Sequence, residues 1–224
     1  MTAIFVTATG TDIGKTFVTA GLTRTLRRRG RAVATLKPIA SGFDPAMLAG
    51  SDTGILLAAA GRPVTEDEAA LITPWRFRAP LSPDMAAEIE RARIDFDALI
   101  AFCRARLDQR RDAMLIEGVG GVMVPLDDRH TVLDWMAALG LPVLLIAGSY
   151  LGTISHTLTA LAVLAQRRLD VAGVVISETP ESGVDLDATE RAIARFSPGI
   201  PLFALPRNAG PGDADPLAAV ADLL

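Results

Sequence analysis

Cysteine, histidine, tyrosine and lysine are all scarce in this chain of 224 residues. The single cysteine, Cys103, excludes an intrachain disulfide and any multi-cysteine zinc site. Two histidines, His130 in a polar stretch and His156 near an expected helix start, form no nucleophile–base or ligand spacing. No apolar run reaches the ~18 residues of a membrane helix. The N-terminus lacks a charged segment followed by an apolar one and a cleavage site. A cytoplasmic protein with no membrane partner is therefore expected. Positive charge is not in excess either: 22 Lys and Arg face 26 Asp and Glu, for a net charge of −4, which argues against a nucleic-acid partner. What is abundant is apolar side chain, at 50% of residues, enough for a sizeable core in one domain over residues 1–224.

The two lysines are informative because they are so few. Lys15 and Lys37 are the only ones among the 22 positive side chains; the remaining 20 are Arg. A compact ammonium on a flexible stem differs from a planar guanidinium, so an Arg-rich chain that keeps Lys at two turn-rich places points to a chemical need there.

Short apolar runs alternate with longer helical patterns. Strands are expected at 3–7, 32–36, 114–117, 143–147 and 171–176, and helices at 15–28, 51–60, 84–92, 95–110, 131–139, 154–168 and 183–196. Continuous apolar strands separated by helices mark a parallel sheet covered on both faces. The fold class expected is α/β: a doubly wound, mostly parallel sheet of six or seven strands flanked by helices, like a P-loop NTPase. Asp95 is a candidate N-cap ahead of Phe96, Leu99, Ile100, Cys103 and Leu107 at helical spacing, which makes Cys103 a core thiol. The run Arg27-Arg28-Arg29 closes the first helix, where cations complement the dipole.

Three constellations carry chemistry. Thr7-Ala8-Thr9-Gly10-Thr11-Asp12-Ile13-Gly14-Lys15-Thr16 follows a strand and opens a helix, the setting of a phosphate loop. The strict pattern needs Gly where Thr9 stands, so the loop is a variant. Its amides would cradle a polyphosphate, Lys15 would bridge the terminal phosphates, and the Thr16 hydroxyl would join a Mg²⁺ shell. Lys37-Pro38-Ile39-Ala40-Ser41-Gly42 follows the second strand, so Lys37 is expected at the same ligand edge. Glu117, before Gly118-Val119-Gly120-Gly121, ends a strand beside the phosphate loop, in position for a second Mg²⁺ ligand. Asp52 is a candidate third ligand, or a helix N-cap.

Together with Ala79-Pro80-Leu81-Ser82-Pro83 and Leu151-Gly152-Thr153-Ile154-Ser155-His156, these motifs occur in order and at suitable spacing, and the set resembles the dethiobiotin synthetase family. The resemblance implies an ATP- and Mg²⁺-dependent ligase joining CO₂ to 7,8-diaminopelargonic acid and closing a urea ring. It implies Lys37, with Lys15, as the catalytic lysine, and Thr16, Asp52 and Glu117 as metal ligands. Nucleotide contacts are implied for Asp12, Ile13, Gly14, Phe17, Gly118, Val119 and Gly120. Substrate contacts are implied for Thr11 and Ser41, and for Gly152, Thr153, Ile154 and Ser155 at a helix start completed by the partner of a homodimer. The family's base-recognising Asn-Asp pair appears here as Ser177-Glu178, and its later Pro-Trp as Pro206-Arg207, next to Asn208. A lone hydroxyl in place of an amide implies weaker base discrimination.

Other readings fit less well. Partitioning-type switch ATPases carry a signature Lys where this chain has Gly10. A regulatory domain with a dead site would be expected to lose one of Lys15, Thr16, Lys37 or Glu117. Cobalamin-pathway amide ligases usually bring a glutaminase domain with a nucleophilic Cys, a setting Cys103 lacks.

Overall fold

The computed structural model describes residues 2–109, 111–180, 183–207, 215 and 217–224. Its strands are β1 (Thr2–Ala8), β2 (Val33–Leu36), β3 (Ile39–Ala40), β4 (Trp75–Arg76), β5 (Ala113–Glu117), β6 (Val143–Ala147), β7 (Val171–Ser177) and β8 (Leu202–Leu205). Six of them form one sheet in the order β2-β5-β1-β6-β7-β8, and every pairing in it is parallel. β5 and β6 are buried at every residue, as is β1 from Ile4 to Ala8. Their continuous apolar runs follow from having a covered layer on both sides.

The helices are α1 (Lys15–Arg28), α2 (Asp52–Ala59), α3 (Glu66–Ile72), α4 (Pro83–Ile89), α5 (Phe96–Leu107), α6 (Val132–Leu139), α7 (Thr153–Gln166), α8 (Leu186–Ala194) and α9 (Ala218–Ala221). Side chains alternate across β1. Ile4, Val6 and Ala8 pack with Val18, Leu22 and Leu26 of α1 and Val220 of α9. Phe5 faces the other way, into a core with Leu99 of α5, Trp135 of α6 and Leu164 of α7. The Trp135 ring meets Phe5 edge-on, with centroids 4.8 Å apart. Cys103 is fully buried in this layer, and burial pushes its thiol up to about 12.

The elements expected from sequence are present with small shifts. Asp95 caps α5 by accepting from Ala98 N–H. The expected helix at 84–92 stops at Ile89, and Arg91 takes a left-handed φ of 51° just beyond it. The helix expected from 183 begins at Leu186, because the Asp185 side chain caps it there. Unforeseen were α3, α9, the edge strand β8 and the small parallel sheet of β3 and β4. Two-residue strands have no periodicity to read, and this pair forms only because the chain returns alongside itself, with Trp75 N–H bonded to Pro38 O.

A parallel sheet sends the carboxyl end of each strand to one edge. The segments after β1, β2, β5, β6 and β7 therefore share that edge.

α6 begins with a reciprocal cap: Asp134 accepts from the backbone and hydroxyl of Thr131, while Thr131 Oγ1 accepts from Asp134 N–H. Replacing Asp134 by Ala removes the reciprocal half and is expected to lower Tm by about 2–4 °C in thermal melts. Arg167→Ala, which removes only the half-exposed ion pair to Asp134, should change Tm by less than about 2 °C.

Candidate active site

The loop between β1 and α1 is wound by two left-handed residues, Asp12 at φ 57° and Gly14 at φ 100°. Gly14 answers two constraints at once, because an added Cβ would also lie 2.8 Å from Ser177 Oγ on β7. It precedes α1 with no side-chain cap. The first intrahelical bond from the N-terminal end is Val18 N–H to Gly14 O, so the amides of Lys15, Thr16 and Phe17 are free to donate to an anion. Lys15 folds back over the loop and donates to Gly10 O at 3.2 Å. Burial, and then the charge of Lys37, lower its pKa to about 8.

Lys37 follows β2 and is 3% exposed. It donates to Glu117 Oε1 at 2.7 Å and to Gly118 O at 3.3 Å, and lies 2.9 Å from Asp52 Oδ2. Burial alone would lower its pKa, but the charges of Glu117 and Asp52 outweigh burial and hold it above the ordinary lysine value. Glu117 is the last residue of β5, fully buried, and paired in register with Val6 of β1. The Thr16 hydroxyl donates to Glu117 Oε1 at 2.7 Å. Asp52 opens α2, but the capping role weighed for it belongs to Ser51, whose Oγ accepts from Gly54 N–H at 3.1 Å. Asp52 is thereby free for the site. Burial pushes its carboxyl up, yet Lys37, with Thr16 and Lys15, holds it below the usual carboxylate range.

Lys15, Thr16, Lys37 and Asp52 open onto a cavity of about 620 Å³ that also takes in Thr11, Asp12, Gly14, Phe17, Ser41, Val119 and Gly120, with Glu117 buried behind Lys37 and Thr16. Ser41 Oγ is buried there without a partner. Sequence reasoning missed part of the wall, namely Val124 and the side chains of Pro80 to Pro83. Pro80 had been quoted as part of a motif, and nothing in the sequence signalled Val124. Gly118 contributes its carbonyl, with no room for a side chain, since an added Cβ would lie 3.0 Å from Phe5. Ile13 points away from solvent into the core.

Other expected residues lie apart from this cavity. Gly152, at φ 100°, precedes α7 without a side-chain cap; Thr153 N–H donates to Tyr150 O at 3.1 Å, which leaves the amides of Ile154 and Ser155 open, but Gly152 to Ser155 do not line the cavity. Thr153 is turned inward, its hydroxyl donating to Gly148 O. Ser177 abuts Gly14 on the β7 side of the loop. Glu178 Oε2 accepts from Arg207 N–H at 2.8 Å, joining the ends of β7 and β8, with Pro206 exposed beside them. Asn208 lies outside the described residues.

Among the described residues no three His, Cys, Asp or Glu side chains gather as a metal site. A hard divalent cation nevertheless fits Thr16, Asp52 and Glu117. All three offer oxygen, the donor such ions take, with water and phosphate completing the shell. Glu117 Oε2 is buried with no hydrogen-bond partner, a lone-pair site that asks for a cation.

A mostly parallel sheet with a phosphate loop between its central strand and the next helix, and two ammonium groups over that loop, defines the P-loop nucleotide-binding class. Solved structures agree on the fold. The septum site-determining protein MinD of Pyrococcus horikoshii, bound to Mg-ADP, matches 99% of this chain and 85% of its own with a TM-score of 0.58 at 18% identity. The MinC:MinD complex of Aquifex aeolicus gives 0.57 at 12% identity, over 93% of this chain and 83% of that one. An AAA domain family model matches residues 2–210. The ATP-dependent dethiobiotin synthetase of Acidiphilium cryptum is 52% identical over 196 residues, 87% of this chain and 88% of the relative. That of Methylobacterium nodulans is 48% identical over 216 residues, 94% and 95% of the two chains. The chain belongs to the ATP-dependent dethiobiotin synthetase family.

A phosphate chain against Lys15 favours its charged form, so binding should draw in a proton wherever the free ammonium has begun to dissociate. In a chelating buffer without divalent cations, ADP affinity is expected to fall as pH rises through about 8. The limiting slope is about tenfold per pH unit, with proton uptake visible by calorimetry in buffers of different ionisation enthalpy. A flat affinity from pH 7 to 9.5 would contradict the assignment of Lys15 to the phosphates.

Proposed function

We propose that this chain makes dethiobiotin from 7,8-diaminopelargonic acid, CO₂ and ATP, releasing ADP and phosphate, as a step of biotin biosynthesis. The observation that carries the reading is the meeting of Lys15, Lys37, Asp52 and Glu117 beside one phosphate loop. The names of its relatives support it.

An amine of the substrate adds to CO₂ and loses a proton, giving a carbamate. A carbamate oxygen attacks the γ-phosphorus, the bond to the β-phosphate oxygen breaks, and ADP leaves. The second amine then attacks the carbonyl carbon of the mixed anhydride. Phosphate departs with the bonding electron pair, the amine loses its proton, and the ring is closed. No side-chain nucleophile is needed; the chain has to supply position and charge. The loop amides and Lys15 hold the phosphates, with Phe17 at the mouth of the site. Lys37 holds carbamate and phosphoryl oxygens, and Thr11 and Ser41 orient the diamine. Thr16, Asp52 and Glu117 would hold Mg²⁺, which would supply positive charge to offset that of the phosphates. Val119, Val124 and Pro80 give the cavity an apolar wall, which keeps water from the mixed anhydride.

The turn from Gly152 to Ser155, with the open amides of Ile154 and Ser155, lies outside the one-chain cavity. Those amides suit the carboxylate tail of a substrate bound across a homodimer, each subunit completing its partner's site. Base recognition falls to Ser177, Glu178, Pro206, Arg207 and Asn208. The chain acts as one domain over residues 1–224, in the cytoplasm. No helix among the described residues is long and apolar enough to cross a membrane.

Phosphate release from ATP in bicarbonate buffer separates this reading from a nucleotide switch. Release should depend on the added diamine; equal release without it sinks the ligase. Lys37→Arg is expected to keep nucleotide binding and lose about 100-fold or more in kcat, because a planar fork cannot replace a point charge in this enclosed place. An unchanged kcat would remove Lys37 from the reaction.

A further inference from the structure

Lys37 faces a conflict of commitments. An ammonium has three hydrogens, and here each has an acceptor: Glu117 Oε1 at 2.7 Å, Asp52 Oδ2 at 2.9 Å and Gly118 O at 3.3 Å. The group is 3% exposed, so while this arrangement lasts nothing remains to donate to a carbamate or a phosphoryl group. The carboxylates that hold it, with the Thr16 hydroxyl bonded to Glu117 Oε1 at 2.7 Å, are the same acids suited to a divalent ion, for which Glu117 Oε2 stands open. Two cations therefore have a claim on one pair of acids.

We propose that Lys37 is the resident cation of the metal site: it keeps Asp52 and Glu117 together in the free protein, and is displaced toward the substrate when a divalent ion enters with nucleotide. The inference rests on the metal and lysine roles proposed above. Two carboxylates left close together with no cation would repel each other and move apart. Lys37 spares the site that outcome and leaves the oxygens already arranged for the metal. The entering ion must break an existing ion pair, so the free protein holds metal weakly. Bound phosphates favour the exchange twice over, by supplying metal ligands and by attracting the released ammonium. Metal and nucleotide then reinforce each other's binding reciprocally. Lys37 becomes able to hold a reacting oxygen only when both are in place. The cavity it borders, shared with Lys15 and Ser41, gives the side chain somewhere to go.

The test counts bound Mn²⁺ by electron paramagnetic resonance in the absence of nucleotide. Lys37→Met and Lys37→Gln, checked for folding by circular dichroism, should bind Mn²⁺ tighter than the unchanged protein by about tenfold or more, since the internal competitor is gone. Equal or weaker binding by either folded variant overturns the proposal. If neither the unchanged protein nor the variants bind Mn²⁺ even with ADP present, the metal site itself is wrong. A second measurement needs no variant. With two lysines in the chain, protein labelled with ¹³C at the lysine ε-carbon gives two side-chain signals. Mg²⁺ added to the complex with a non-hydrolysable ATP analogue should shift the Lys37 signal well beyond the effect of the analogue alone. A Lys37 signal that ignores Mg²⁺ overturns the proposal as surely.

Discussion

The contact between the Lys37 ammonium and the Glu117 carboxylate, both deep under the sheet edge, is the constraint from which the rest of the site follows. Each charge is buried against the other, and removing one partner of such a pair costs about 3–5 kcal/mol. Their union with Asp52, Thr16 and Lys15 balances two carboxylates against two ammonium groups around a phosphate loop. With Asp12 also at the cavity, the acids outnumber the two ammonium groups by one, and each group prefers a different ligand part. A polyphosphate draws on the lysines and loop amides, and a hard cation draws on the acids.

The sheet order makes this possible at little conformational expense. β5 lies between β2 and β1, so Glu117 ends between Lys37 on one side and the phosphate loop on the other. Only Asp52 comes from outside the sheet edge, carried on the first turn of α2 once Ser51 has taken the cap. On the opposite flank of β1, Ser177 touches Gly14, and Glu178 ties β7 to β8 through Arg207 N–H. A nucleotide stretched across the end of β1 would thus meet charge at its phosphate tail and polar backbone connections toward its base.

Much of this was readable in the amino-acid order, for identifiable reasons. β1, β5 and β6 announce themselves because strands covered on both faces must be apolar throughout. Asp95 marks the start of α5 because its short side chain can reach the Ala98 amide. Lys15, Thr16, Lys37 and Glu117 stand at the ends of recognisable elements, and a parallel sheet brings those ends together whatever lies between. Less visible were features decided by tertiary approach. Ser51 and Asp52 are both good capping residues, and only the extended backbone of Ser51, with its bond to Gly54, settles which one caps. The β3–β4 pair and α3 are too short to carry a pattern. Val124 joins the cavity wall through a loop fold that no local rule encodes. The substitutions at Ser177 and Arg207 were plain, but the use of Glu178 to fasten the following strand was not.

The position of β1 in the middle of the sheet has a consequence for biogenesis. This strand is made well before its sheet partners: Thr2 pairs with Ala113, and Phe5 with Val143. Its apolar length and the loop behind it must wait for most of the polypeptide to be made before either gains a neighbour, a delay that non-local parallel pairing imposes and that leaves sticky surface open meanwhile. Nucleotide cannot steady the nascent chain during that interval, because its cradle does not exist until β5 and β6 have closed on either side. A segment synthesised well ahead of its neighbours is thereby among the last to acquire its working shape.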